Sequence, residues 1–245
     1  MRNIKLTIEY DGKDFNGWQK QPTKLNIQGT IEQAIKQITG EEVQLDASGR
    51  TDAGVHAFGQ VANFKTNSQI PIDKFAIAIN SKLKRSIVIK KAEEVDERFH
   101  SRLNCKKKTY RYVINNTPEG TAIYRNLETH IPQKLNVEKM QEAVKFFEGE
   151  HDFKAFKASG TSSKSSVRTI YKAEVYQEGD RIIIELTGNG FLYNMVRIIA
   201  GTLVEVGLGK IESNKITEII ENKKRENAGK TLPPNGLYLM KVIYD

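Results

Sequence analysis

Cysteine is almost absent: Cys105 stands alone in 245 residues, so no internal disulfide can form, and the composition fits a reducing compartment. Four histidines lie scattered without zinc-ligand spacing, and no structural metal is expected. No apolar run approaches the ~20 residues of a membrane-spanning helix. Met1 to Ile8 alternate like a strand from the outset and carry no signal-peptide stretch, so a cytoplasmic location without a membrane partner is expected. The chain also has no GxGxxG pattern and no P-loop lysine, which removes the usual nucleoside-triphosphate readings. What is abundant is positive charge. Lys and Arg number 38 against 30 Asp and Glu, a net charge of +8, which favours a polyanionic partner, nucleic acid before anionic membrane.

Hydrophobic periodicity divides the chain into two similar halves. Ile4, Leu6, Ile8 and Tyr10 alternate as a strand. Asp14 to Gln19 is an irregular loop holding the only tryptophan, Trp18, whose expected role is that of a buried aromatic plug. Ile27, Ile31, Ala34, Ile35 and Ile38 have helical spacing, and Gly40 stops them. Val43, Leu45 and Ala47 read as a second strand and Gln60 to Lys65 as a third. Asp73 is placed to cap a helix that buries Phe75, Ile79 and Leu83, and Ile87 to Val95 is a fourth strand. The second half repeats the order. It has a strand at Lys108–Asn115, a short extended piece near His130, and a helix capped by Asn136 and stopped by Gly149. A hairpin turns at Glu178-Gly179-Asp180, an apolar helix runs over Phe191–Val206, a short extra helix covers Lys215–Lys224, and a closing strand carries Leu237, Leu239 and Ile243.

The expected class is therefore α/β (α+β): two ferredoxin-like β-α-β-β-α-β units forming an extended mixed sheet with helices packed on it. Residues 1–103 form the expected N-terminal domain and 104–245 the C-terminal one, with an active-site cleft between them. Where the second half closes its hairpin with three residues, the first carries a long connection from Gly49 to Gly59. Within it, Ser48-Gly49-Arg50-Thr51-Asp52-Ala53-Gly54-Val55-His56-Ala57 sets an arginine, an aspartate and a histidine among glycines. In an extended chain Arg50 and Asp52 share a face, roughly 6–7 Å apart at the backbone, so the guanidinium can hold the carboxylate ionised. From these residues alone, the loop is equally a stapled turn or a site.

Basic stretches accompany the loop. Arg98, His100, Arg102, Lys106, Lys107, Lys108 and Arg111 fall within fourteen residues, interleaved with Phe99, Tyr110 and Tyr112. Cations beside aromatics on a strand suit phosphate contact and base stacking, although a solvated edge strand has the same composition. Thr161 to Ser166 is a polar stretch before Arg168, read as a linker or as a closing loop. Gly188 to Asn194 leads from a glycine turn into a helix whose N–H groups suit a phosphate.

Taken together, these motifs resemble the bacterial tRNA pseudouridine synthase A (TruA) family. The resemblance is carried by Gly49 to Ala57, Tyr10-Asp11-Gly12, Gly17-Trp18-Gln19, Lys108-Thr109-Tyr110-Arg111-Tyr112 and His151 to Phe156. It continues through Arg168-Thr169-Ile170, Gly188 to Arg197 and Pro234 to Leu239, in that order along nearly the whole chain. Cys105-Lys106-Lys107-Lys108 departs from the family pattern in its extra lysines. The resemblance implies an isomerase that converts uridine to pseudouridine in the anticodon stem-loop of tRNA, around positions 38, 39 and 40. It implies base flipping, no metal and no cofactor, and a homodimer with tRNA lying across both subunits. By the same match Asp52 is the catalytic aspartate, supported by Arg50, which holds it ionised and fills the gap left by the flipped base. Tyr110 stacks on the target base and is a candidate for handling the C5 proton, and Leu237 packs on the base from the other side. His56 takes a structural hydrogen bond. The basic surface suggests Arg102, Lys107, Arg168 and Arg197 as RNA contacts. Two other classes stay open at this level: a tRNA-binding protein or chaperone without catalysis, against which the intact Arg50, Asp52 and Tyr110 argue, and a nucleoside glycosidase, which would release free uracil.

Overall fold

The computed structural model describes residues 1–160 and 165–244. In chain order the first elements are strand β1 (Arg2–Tyr10), helix α1 (Ile27–Thr39), β2 (Asp46–Ala47), β3 (His56–Thr66), α2 (Ile72–Asn80) and β4 (Ile87–Val95). There follow β5 (Lys107–Asn115), β6 (Thr129–His130), α3 (Val137–Lys145), β7 (Gly149–Asp152), β8 (Val167–Glu178) and β9 (Arg181–Gly188). Helices α4 (Met195–Gly207) and α5 (Lys215–Asn222) and strand β10 (Leu237–Ile243) complete the chain. Both halves follow the β-α-β-β-α-β order, with insertions in the second. Two compact units result: Met1–Lys106 with Tyr238–Asp245, and Lys107–Leu237. The sequence-based boundary after residue 103 falls three residues early, and the last eight residues join the first unit rather than the second.

In the first unit the antiparallel strands run β4-β1-β3, β2 pairs with β3, and β10 adds parallel to β3 through Tyr238↔His56 and Leu239↔Ala57. Ile4, Leu6 and Ile8 are wholly buried, as their alternation requires, and Phe64 meets Phe75 of α2 edge-on at 6.0 Å. Helix α1 begins where the Asn26 side chain accepts the Gly29 N–H and ends at Gly40, whose φ of 76° suits a glycine. The second strand is shorter than its alternation suggests. Glu32, buried on α1, accepts the Leu45 N–H at 3.0 Å, and Gln28 donates to the Leu45 carbonyl at 3.3 Å. Those backbone groups are thus satisfied by helix side chains instead of a ladder. Helix α2 also differs from expectation: Pro71 occupies the cap position without a side-chain bond, and Asp73 lies in the first turn, where it complements the helix dipole.

In the second unit the strands run β5-β9-β8-β7, all antiparallel, with β6 parallel beside β5. The hairpin turns at Gly179, φ 58°. Helix α3 carries its expected Asn136 cap. Helix α4 starts at Met195, four residues later than its apolar run suggests, because Asn194 adopts φ 60° and the Met195 N–H turns back to the Leu192 carbonyl. The Thr161 to Ser166 stretch falls largely outside the described residues. Among the described residues no helix is long and apolar enough to cross a membrane.

Candidate active site

The segment between β2 and β3 is fixed from several sides. At its start, Ser48 donates its N–H to Val61 O at 2.8 Å and its hydroxyl to the Gln60 side chain at 2.7 Å. The buried Gln60 amide in turn donates to Gly49 O at 2.9 Å. Thr51 is drawn inward: its hydroxyl pairs with the Tyr10 hydroxyl at 2.8 Å, and its carbonyl accepts the Trp18 N–H at 3.0 Å. Trp18 itself is buried, as a plug should be. Asp52 to Val55 then forms a four-residue turn, closed by Val55 N–H to Asp52 O at 3.2 Å with Gly54 at φ 77°. The strand resumes at His56, so the loop is shorter than the Gly49–Gly59 span expected, and Gly59 lies within β3.

Two glycines outside the loop make this packing possible. A β-carbon on Gly17, which has φ 82°, would lie 2.6 Å from Thr51 O; one on Gly12 would overlap the Val55 carbonyl. The motifs Tyr10-Asp11-Gly12 and Gly17-Trp18-Gln19 therefore form the bed of the loop. Periodicity alone gave no sign of this supporting role for Tyr10, Gly12, Gly17 and Gln60. Glycines at fixed places in otherwise irregular sequence were the available signal.

Asp52 is half-buried, between the anchored Thr51 and Val55. Arg50 is exposed and makes no hydrogen bond or ion pair among the described residues, so the expected Arg50–Asp52 pair is not formed. The reason is local. Thr51 is pulled inward and the chain turns directly after it, so the extended geometry that would align the two side chains does not hold. His56 is 2 % exposed, and its Nδ1 accepts the Gly12 N–H at 3.1 Å. Asp11 Oδ1 lies 3.1 Å from the same nitrogen, and the ring stacks on Tyr238 at 4.9 Å. The Gly12 bond reaches outside the loop, where the expected structural hydrogen bond lay inside it.

The remaining candidates divide between the units. Arg102, in the first, is exposed, with its backbone N–H bonded to His100 Nδ1. Tyr110, in the second, lies on β5 and presents its ring edge-on to Phe191 at 5.1 Å. Lys107, on the same strand, places its ammonium 4.7 Å from the centre of the Tyr171 ring. Arg168 donates to the carbonyls of Ser165 and Val167, and desolvation holds its pKa below the ordinary arginine value. Arg197 donates from Nε to Leu232 O at 2.7 Å and from Nη1 to Asn194 Oδ1 at 2.8 Å, which makes it a built-in cation rather than a free-ranging one. Leu237 is 6 % exposed and follows Gly236, where a β-carbon would lie 2.7 Å from Val113 O. Among the described residues no cluster of three or more His, Cys, Asp or Glu side chains is placed to hold a metal ion.

Comparison with known proteins bears on this arrangement. A family model described as tRNA pseudouridine synthase matches residues 6–104 and 143–245. The chain is 53% identical over 244 residues to tRNA pseudouridine synthase A of Acetivibrio thermocellus, with 100% of both chains covered. It is 54% identical to the protein of the same name from Caldicellulosiruptor bescii and 46% identical to that from Brevibacillus brevis, each over 244 residues and again with full coverage of both chains.

Proposed function

Because the chain belongs to the tRNA pseudouridine synthase family, and is thus an isomerase acting on tRNA uridine, we propose that Asp52 performs the chemistry, on uridines around positions 38, 39 and 40 of the anticodon stem-loop. The observation that carries this reading is the clamped loop. Thr51 and Val55 are fixed on either side of a half-buried carboxylate in the turn between them.

Isomerisation breaks the bond from N1 to C1′, rotates the uracil and joins C5 to C1′. A carboxylate serves this by adding to C6, by attacking C1′, or by stabilising the separated fragments. Each route needs an ionised oxygen at a fixed place, and a rigid loop supplies it. A uridine within or beside a paired stem must first leave the stack, at a cost of a few kcal/mol. Tyr110 stacks on the flipped base and Leu237 covers its other face. Tyr110 also stands as a candidate for handling the C5 proton in the last step. Arg50, exposed and unpaired with Asp52, fills the vacancy left in the RNA stack. Arg102, Lys107, Arg168 and Arg197 supply positive charge to the phosphates, which offsets the flipping cost. We further infer a cytoplasmic homodimer across which the tRNA lies. A light-scattering mass of one 27.8 kDa chain under assay conditions would count against the dimer.

The deciding experiment uses unmodified tRNA carrying tritium at uridine C5. The wild-type protein should release tritium to water, while Asp52→Asn should bind the tRNA and release none. Release at the wild-type rate by that variant would remove Asp52 from the chemistry.

A further inference from the structure

We propose that Tyr112 is a positioning residue for this reaction: its buried hydroxyl holds the segment 232–236 so that Leu237 stands at a fixed place relative to Tyr110. The proposal rests on Tyr110 and Leu237 being the residues that contact the base. Tyr110 and Tyr112 are two residues apart on β5 and share a face, so one strand carries both the stacking ring and the anchor.

The Tyr112 ring is wholly buried. Its hydroxyl is 2.7 Å from Pro233 O and 2.6 Å from Thr129 Oγ1. The carbonyl can only accept, so the tyrosine proton goes to Pro233, and the Thr129 proton is then shared between Tyr112 and the Asn235 side-chain oxygen at 3.3 Å. Asn235 completes the arrangement by donating to the carbonyls of Arg125 at 3.1 Å and Glu128 at 2.7 Å. Earlier in the segment, Leu232 exchanges two bonds with Arg197, Nε to Leu232 O at 2.7 Å and Leu232 N–H to Arg197 O at 3.3 Å. At Gly236 a β-carbon would lie 2.8 Å from Thr129 Oγ1 and 3.0 Å from Tyr112 Cε1. The short turn Pro234–Gly236 is thus pressed onto the Tyr112 ring and tied to its hydroxyl, and Leu237 is the next residue.

Packing alone would be met by phenylalanine. The hydroxyl gives the carbonyl of Pro233, an otherwise exposed residue, a fixed donor inside the protein; without it that carbonyl turns to water, and the turn, with Leu237 next to it, is free to shift. Misplacing one wall of a pocket by a fraction of an ångström acts on the reacting geometry, while affinity for tRNA comes mainly from phosphate contacts elsewhere.

The test is a double-mutant cycle on tritium release. Tyr112→Phe should lower kcat on the order of tenfold or more, with KM for tRNA changed by no more than about twofold. In a Leu237→Ala background the same change should cost almost nothing further, because its effect passes through Leu237. Thr129→Val, which leaves the Tyr112 ring and its Pro233 bond in place, should give a smaller loss of the same kind, and it carries the test if Tyr112→Phe does not fold. Additive losses in the double variant, an unchanged kcat in a folded single variant, or a change confined to KM would each overturn the proposal. A Leu237→Ala variant with wild-type turnover would instead remove the base-pocket assignment beneath it, so the two failures are distinguishable.

Discussion

Gly12 and Val55 meet backbone to backbone: a β-carbon on Gly12 would lie 2.0 Å from the Val55 carbonyl oxygen. The contact joins the end of β1 to the far limb of the Asp52 loop. The neighbouring Gly12 N–H, bonded to His56, secures the same junction. The loop owes its shape to such contacts with the residue 10–18 segment more than to its own glycines.

Substitution at these contacts should therefore be costly. Gly12→Ala and Gly17→Ala are each expected to destabilise the protein by about 1–3 kcal/mol or more, since backbone rather than a side-chain tip must give way. Gly17→Ala adds the strain of an L-residue at φ 82°. Thermal melts check this, and wild-type melting of Gly12→Ala would contradict the packing described.

Alkaline stability should report on the same region. Burial pushes the Tyr10 pKa up, against the opposing hydrogen bond from Thr51. A folded-state value above the unfolded one contributes stability that is complete below about pH 10 and fades as pH rises further toward the folded value. Tyr112 and Tyr244, raised by burial as well, add to this alkaline limit. Absorbance titration should show these phenols ionising only as the protein unfolds. Tyr10→Phe should lower stability at pH 7 by about 1 kcal/mol, through loss of the Thr51 bond, and should lessen the alkaline loss.

The two conceivable duties of Arg50 separate cleanly. If it works on the RNA, Arg50→Ala keeps the wild-type melting temperature, binds tRNA nearly as well, and turns over on the order of tenfold or more slowly through poorer flipping. A pH–rate profile unchanged at its acidic limb would exclude a role in keeping Asp52 ionised. A shifted limb would restore the pairing that the free chain does not form.

The basic residues should fall into two groups by salt dependence. Arg102 is exposed and Lys107 places its ammonium over the Tyr171 ring, so Arg102→Glu and Lys107→Glu should weaken tRNA binding and flatten the slope of log affinity against log salt by about one each. Arg197 is bound to Leu232 O and Asn194 Oδ1, so Arg197→Lys, which keeps the charge on the phosphates but not the fork that makes both bonds, should lower turnover while leaving that slope nearly intact. Filter binding across a salt series, beside the tritium assay, distinguishes the groups.

Local periodicity was enough to show the two β-α-β-β-α-β halves, the Gly40 end of α1, the Gly179 hairpin and the exceptional segment around Asp52. Alternation, helical spacing and turn residues act over a few positions, so a sequence states them directly. Tertiary structure decided whatever depended on where a backbone group finds its partner. Glu32 captures Leu45 and shortens β2; Tyr10 and Trp18 pull Thr51 inward and part Arg50 from Asp52; Gly12 takes the His56 nitrogen. β10 joins β3 through Tyr238 and His56, 182 positions apart, and Tyr112 reaches Pro233 over 121 positions. Such pairings lie beyond the reach of any local pattern, because they are settled only when distant segments compete for the same donors and acceptors inside a packed core.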